Sequence, residues 1–307
     1  VTCDWKIGDM SGEAQLLNDA SVNYVAYDGN GATSGDMDDS EHLYDVPSNL
    51  VLNEYSKTGY DTFVGWNLVP EQSTFSRRSR LLMASPEPDF TDGEEILNLT
   101  EILGDTVDII AVWKPNVYFV KYNKNNPDAT GSMSNSEHTY DTASALASNG
   151  YSLTGYTFGG WATSSSGNAE YTDRADVLNL TAENNQIVEL YATWVENGYT
   201  VKFNGNGATS GEMDEMSFKY TEEKALKENQ FARTGYTFKG WSTSANGTVA
   251  HTDKEIVSKL TAENNGVVTL YAVWEANTYK LTFDVNGGKD ITLTTELENL
   301  GYYLDNG

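Results

Sequence analysis

Apolar and polar residues alternate in short runs along this chain, and the runs recur. Tyr199-Thr-Val-Lys-Phe-Asn204 places Tyr199, Val201 and Phe203 on one side of an extended segment, the period-two pattern of a strand with one wet face. Val267-Val-Thr-Leu-Tyr-Ala-Val-Trp274 is apolar on both alternating sets. Its Val, Thr and Tyr content predicts a central strand covered on both faces rather than a helix. Between these two, Thr221-Glu-Glu-Lys-Ala-Leu-Lys-Glu-Asn229 predicts a short helix. Thr221 would be the N-cap, with two glutamates in the first turn where the helix dipole favours negative charge. Asp141 would cap the equivalent helix one repeat earlier, and Asp45, ahead of Pro47, the one before that.

The repetition is strongest around an aromatic signature. Thr234-Gly-Tyr-Thr-Phe-Lys-Gly-Trp241 reappears 80 residues earlier as Thr154-Gly-Tyr-Thr-Phe-Gly-Gly-Trp161, and again as Thr58-Gly-Tyr-Asp-Thr-Phe-Val-Gly-Trp66. A fixed period outranks any local motif, because it makes the chain an array. Other landmarks keep the same order: Leu50, Leu146 and Leu226; Leu99-Thr100, Leu180-Thr181 and Leu260-Thr261. Three modules follow, at 23–115, 116–196 and 197–276, with an ill-fitting segment at 1–22 and the start of a fourth module at 277–307. Within 1–22, Ala14, Leu16, Leu17 and Ala20 have weak helical spacing, and Val1-Thr-Cys-Asp-Trp5 resembles the last strand of a preceding module.

Module one departs from the pattern twice. Asp61 is an extra residue inside its signature, which predicts a β-bulge at that point. An insert at about 69–89 carries Arg77, Arg78 and Arg80, a surface loop by default and a candidate partner-binding loop. The joints are short: four residues separate Trp113 from Tyr118, Trp194 from Tyr199 and Trp274 from Tyr279. Four residues reach no more than about 14 Å, so neighbouring modules must nearly touch and the array should be semi-rigid.

Composition narrows the function. There are 45 acidic against 19 basic residues, a net charge of -26, which repels nucleic-acid phosphates and anionic lipid. Cys3 is the one cysteine, so no intrachain disulfide or thiolate zinc site can form. No stretch approaches 18 consecutive apolar residues, the length that suggests a spanning helix. No signal peptide is visible at Val1, and the chain starts and stops inside recognisable pattern, as a fragment or processed form would.

No motif points to catalysis. There is no Gly-x-Ser-x-Gly elbow and no phosphate-loop lysine. His42 and His138 occupy corresponding places, but Phe218 stands there in module three, so the slot reads as packing. The acidic run Asp36, Asp38, Asp39 and Glu41 lacks calcium-loop spacing. Asn98-Leu-Thr100, Asn179-Leu-Thr181 and Asn246-Gly-Thr248 match the glycosylation sequon by chance. Trp66, Trp161 and Trp241 are the remaining candidates. On a regular strand Trp241 faces away from Tyr236 and Phe238, so these rings are either covered core or an aromatic platform for a ligand such as a glycan.

The ordered set Tyr-x-Val-x-Phe, Asn-Gly-x-Gly, Gly-Tyr-x-Phe-x-Gly-Trp and Leu-Tyr-Ala-x-Trp resembles the Listeria–Bacteroides repeat family over about Tyr24 to Trp274. Module two departs from it at Asn123-Lys-Asn-Asn-Pro127, which lacks the turn glycines. The resemblance implies an α+β fold: a tandem array of small ubiquitin-like β-grasp modules, each a mixed sheet plus one main helix. It implies a non-enzymatic extracellular repeat region of a bacterial surface or secreted protein, with no catalytic, cofactor or metal residues to carry over. The expected role is an elongated stalk or adhesive spacer. The alternatives are a direct binder of host protein, glycan or neighbouring copies, and an accessory region of a secreted enzyme.

Overall fold

A computed structural model describes residues 22–69 and 87–279. The chain divides into two compact units. One comprises Val1–Tyr122, Ser134–Ser148 and Asp173–Leu190; the other comprises Asn123–Met133, Asn149–Thr172 and Tyr191–Gly307. The first holds repeat one and part of repeat two; the second holds the rest of repeat two and all of repeat three.

Repeat one runs through β1 (Val22–Asp28), β2 (Ser40–Leu43), β3 (Ser48–Asn49), β4 (Thr62–Leu68), β5 (Glu95–Ile96) and β6 (Thr106–Lys114). Its sheet has the order β2-β1-β6-β4, with β1 parallel to β6 and the outer pairs antiparallel. Strands β3 and β5 form a separate two-stranded ladder.

Repeat two adds β7 (Val117–Asn123), β8 (Thr130–Gly131), β9 (Ser136–Thr139), β10 (Ser144–Ala145), β11 (Tyr151–Ser152), β12 (Tyr156–Ala162), β13 (Asp176–Val177) and β14 (Ile187–Glu196). The β7–β9 and β10–β13 pairs belong to the first unit. The β8–β11 pair and the pairing of β12 with Tyr191–Glu196 belong to the second. Repeat three comprises β15 (Gly198–Asn204), β16 (Met216–Lys219), β17 (Lys224–Ala225), β18 (Tyr236–Ser242), β19 (Ile256–Val257) and β20 (Gly266–Ala276). It repeats the first sheet as β16-β15-β20-β18 and the first small ladder as β17-β19.

The two strands that the alternation predicts are present. In β15, Tyr199 and Val201 are buried and Lys202 is exposed. Strand β20 is central, paired with β15 on one side and β18 on the other. Only one of its faces is well covered, however: Leu270 and Ala272 are buried, whereas Val267 on the other face is 57% exposed.

The α+β expectation is overturned. Among the described residues there is no helix, and the fold is all-β. The segment read as the main helix is instead a turn at Tyr220–Thr221 followed by β17. The reason lies in two features. Between 221 and 229 only Leu226 is buried, one anchor and not the stripe a helix needs to hold itself on a sheet. Moreover, the supposed caps Asp45 and Asp141 have φ of 60° and 57°, a left-handed conformation that a helix N-cap, normally extended, does not take.

The bulge also lies elsewhere than expected. Asp61 precedes β4 and leaves its register untouched. All three signature strands instead shift register further on, between Phe63 and Gly65, Phe158 and Gly160, and Phe238 and Gly240. The glycines there have φ of 152°, 126° and 143°. A Cβ would lie 2.2 Å from the Phe90 carbonyl oxygen at Gly65 and 2.6 Å from the Tyr171 and His251 carbonyl oxygens at the other two. Adding one residue flips every later side chain to the other face. Trp241 therefore joins Phe238 on the core side, ring centroids 5.0 Å apart.

Repeats one and three each build a core around that tryptophan. In repeat three Trp241 packs with Val201, Phe218, Leu226, Val257 and Leu270. In repeat one Trp66 packs with Val25, Tyr27, Leu50, Ile96 and Ile109. The small ladder positions Leu226 beside β17 and Val257 on β19 in the core.

Candidate functional site

The candidate residues named from sequence separate quickly. Trp66, Trp161 and Trp241 are 0% exposed. No ring face is open to a sugar, and the platform reading is corrected to core. Arg77, Arg78 and Arg80 lie outside the described residues. His42 and His138 are buried, each held between two serine hydroxyls. His42 Nε2 is 2.7 Å from Ser40 Oγ and its Nδ1 2.6 Å from Ser48 Oγ; for His138 the partners are Ser136 at 2.8 Å and Ser144 at 2.6 Å. Burial lowers both imidazole pKa values. A tyrosine hydroxyl extends each relay, Tyr27 to Ser40 and Tyr122 to Ser136, both at 2.8 Å.

The sequon asparagines have a structural use. Asn98 Oδ1 accepts from the Asp45 N–H at 2.7 Å while Asn98 Nδ2 donates to Asp45 Oδ1 at 2.7 Å. Asn179 and Asp141 repeat the exchange at 2.6 and 2.7 Å. This paired contact holds the turn after β2 and β9 against the segment that follows β5 and β13. Repeat three, with Thr221 and Lys259 at these places, keeps the left-handed backbone at Lys259 and bonds its N–H to the Tyr220 carbonyl at 3.0 Å instead.

The turn after the first strand survives in repeat two without its glycines. Asn30, Asn125 and Asn206 all have φ near 50°, a conformation that asparagine tolerates better than most residues. Their side-chain amides donate to the Ala111, Ala192 and Ala272 carbonyls at 2.8, 3.0 and 2.9 Å.

What recurs between repeats is a clasp centred on one asparagine. At the first joint Asn116 donates its N–H to the Gly59 carbonyl at 2.8 Å, and its own carbonyl accepts from the Tyr140 N–H at 2.9 Å. Its side chain accepts from the Asp61 N–H and donates to the Ala182 carbonyl, both at 2.8 Å. Asn116 is 3% exposed. All its polar groups are used, two toward repeat one and two toward repeat two. Asn197 does the same at the second joint: N–H to the Gly155 carbonyl at 2.9 Å, carbonyl from the Tyr220 N–H at 2.9 Å, side chain to the Ala262 carbonyl at 2.8 Å and from Thr157 Oγ1 at 2.7 Å.

A glycine and a tyrosine close each clasp. Tyr140 lies over Gly59 and Tyr220 over Gly155, so closely that an added Cβ would fall 2.3 and 2.0 Å from the ring carbons. Tyr60 meets Tyr140 edge-on at 5.9 Å, and Tyr156 meets Tyr220 at 6.3 Å. The polar lock differs between joints. Tyr60 donates its hydroxyl to Asp141 at 2.9 Å in the first. In the second, Glu196 accepts from the Thr221 N–H at 2.6 Å and from the Thr221 hydroxyl. Hydrogen bonds from Asn179 and then Tyr60 lower the Asp141 carboxyl pKa, and those from Thr221 lower that of Glu196.

Each joint thus lies within one unit, and its asparagine always sits three residues after the closing tryptophan: Trp113-Lys-Pro-Asn116, Trp194-Val-Glu-Asn197 and Trp274-Glu-Ala-Asn277. That spacing is the signal the reading of joints by length alone passed over.

Among the described residues no group of three or more metal-ligating side chains converges. The family comparison agrees with the repeats just described. The model of the Listeria–Bacteroides repeat domain matches residues 118–192 and 199–273. These two repeats belong to the Listeria–Bacteroides repeat family. Repeat one has the same sheet order, a tryptophan core like that of repeat three and a clasp glycine like that of repeat two. A protein of Evansella cellulosilytica, provisionally named a Gly-rich membrane protein, is 34% identical over 144 residues, 46% of this chain and 16% of that protein. A second protein of the same organism, provisionally named a membrane protein, is 38% identical over 104 residues, 34% of this chain and 14% of that protein. The matched part is therefore a small fraction of each relative's length.

Proposed function

We propose that this chain is a non-enzymatic repeat region of a bacterial cell-envelope protein, and that its repeats serve as a spacer in which each joint fixes the angle of the next. The observation that carries this reading is the clasp. A flexible tether needs no buried asparagine with every polar group engaged, and here two joints of different local sequence keep one. The repeat family and the naming of two relatives as membrane proteins support the cell-envelope setting. In this reading the outer face, rich in carboxylates, keeps the region solvated, and what is displayed at its far end does the binding.

Small-angle scattering tests the proposal. A single compact body of this chain length would have a radius of gyration of about 19 Å. The full chain should exceed that clearly, and Asn116→Ala with Asn197→Ala should broaden the distribution of dimensions without unfolding the repeats. A wild-type value near the compact limit, or a double variant that scatters like the wild type, would remove the spacer.

A further inference from the structure

The two clasps close with different polar locks, and the difference involves residues on both sides of each joint. The turn after Tyr140 satisfies its own N–H. Asn179 takes the Asp141 N–H at 2.6 Å and donates to Asp141 Oδ1 at 2.7 Å. That leaves Asp141 Oδ2 to accept from Tyr60 of the preceding repeat at 2.9 Å. The turn after Tyr220 cannot do this. Lys259 stands where Asn179 stands, and its side chain has no acceptor to offer. The Thr221 N–H, at 2.6 Å, and the Thr221 hydroxyl both go to Glu196 of the preceding repeat instead. One turn presents a carboxylate oxygen; the other presents two donors.

The preceding repeat is matched to the turn each time. Pro115, Glu196 and Ala276 hold the place just before the clasp asparagine. Pro115 brings no charge to the first joint, and the Lys57 ammonium lies 4.5 Å from the centre of the Tyr60 ring. Bonds from Asn179 and Tyr60, and then the Lys57 charge, lower the Asp141 carboxyl pKa. At the second joint Glu196 supplies the carboxylate itself, and Leu153 stands in place of the cation. A carboxylate turn set against Glu196 would bring like charges together. A Thr221-type turn set against Pro115 would find no carboxylate to receive its donors.

We propose that these positions form a pairing code: the residue before the clasp asparagine and the residue after the clasp tyrosine decide which repeat can follow which. Repeat three ends differently from repeat two. Ala276 pairs with Tyr236 as Glu196 pairs with Tyr156, so the carboxylate is gone. Arg233 lies 3.9 Å from the centre of the Tyr236 ring, as Lys57 lies on Tyr60. This end therefore fits an aspartate turn held by an asparagine, the kind that repeats one and two carry as Asp45 with Asn98 and Asp141 with Asn179. It does not fit the Thr221 and Lys259 turn of repeat three, so a repeat of the third type cannot be set on a copy of itself with its lock intact. The inference rests on the spacer reading and deepens it by naming what each joint accepts.

Hydrogen exchange at the Asn197 amide, which bonds the Gly155 carbonyl inside the second joint, reads the code in the full chain. Thr221→Asp with Lys259→Asn gives repeat three the other kind of turn. Against Glu196 this change should speed exchange by about two- to fivefold, the size expected of an exposed charge pair. In a Glu196→Ala background, which reproduces Ala276, the same change should no longer speed it. Comparison within each background cancels the influence of residue 196 on its neighbour's intrinsic rate. Exchange at Leu270, in the core of repeat three, corrects for any general loss of stability. Equal acceleration in both backgrounds, or none in either, would overturn the code. Fast exchange at Asn197 in the unaltered chain would remove the fixed joint and the code with it, whereas a protected joint with equal effects would remove the code alone.

Discussion

Four side chains change together between repeats, and their logic is that of buried polar groups. Tyr122, Ser136, His138 and Ser144 form one relay in repeat two. The same positions in repeat three are Phe203, Met216, Phe218 and Lys224, with the lysine ammonium 5.4 Å from the Phe218 ring. Removing one member of a relay strands the others, whereas replacing all members leaves nothing to strand. His138→Phe alone should therefore cost about 1–3 kcal/mol, and the fourfold change to the repeat-three residues should recover at least half of that loss in chemical denaturation. Acid separates the two further. Burial holds the folded imidazoles below their ordinary value of 6.5. As pH falls below that value the unfolded chain binds protons that the folded rings refuse, so stability is lost until the folded pKa is reached. Melting curves at about pH 7.5 and pH 5.5 should show a smaller acid loss in the fourfold variant than in the wild type; equal losses would show that the relay does not govern it.

At the scale of elements, legibility followed burial. The alternation in Tyr199–Phe203 was readable because one face of β15 is buried and the other wet. The helix was misread because Thr221–Asn229 is rich in good helix formers, and propensity is weak when a segment has one buried anchor. Leu226, with Leu50 and Leu146 before it, goes into the core from an extended segment. The tryptophan's face was misassigned for a different reason. A period-two count fails at a bulge, and the bulge is encoded only by Gly65, Gly160 and Gly240, residues that also fit a plain strand. The consequence is testable in repeat two. Gly160→Ala brings a Cβ to within 2.6 Å of the Tyr171 carbonyl at a φ of 126°, so the strand must either lose its bulge or strain. Destabilisation should exceed about 1–2 kcal/mol, accompanied by an altered near-ultraviolet signal as Trp161 shifts. Gly159→Ala, one residue earlier and without the positive φ, should be the milder change.

For the whole molecule the question is whether the joints are mechanical parts or incidental contacts, and three glycines allow a controlled answer. Gly59, Gly155 and Gly235 all have φ of 79°, and Asn277 bonds the Gly235 carbonyl at 2.8 Å as Asn197 bonds that of Gly155 at 2.9 Å. The backbone is the same at all three, but only the first two lie under a tyrosine; among the described residues nothing lies within 4 Å of where a Cβ on Gly235 would sit. An alanine at Gly235 meets only the left-handed backbone cost, about 1–2 kcal/mol. An alanine at Gly155 meets that cost and also collides with Tyr220. The difference between Gly155→Ala and Gly235→Ala therefore isolates the clasp from local strain. Thermal denaturation should show the first variant clearly less stable than the second, and scattering should show a wider spread of dimensions for Gly155→Ala alone. If the two variants melt and scatter alike, Tyr220 contributes nothing to holding repeat three on repeat two, and the asparagine bonds by themselves must carry the joint.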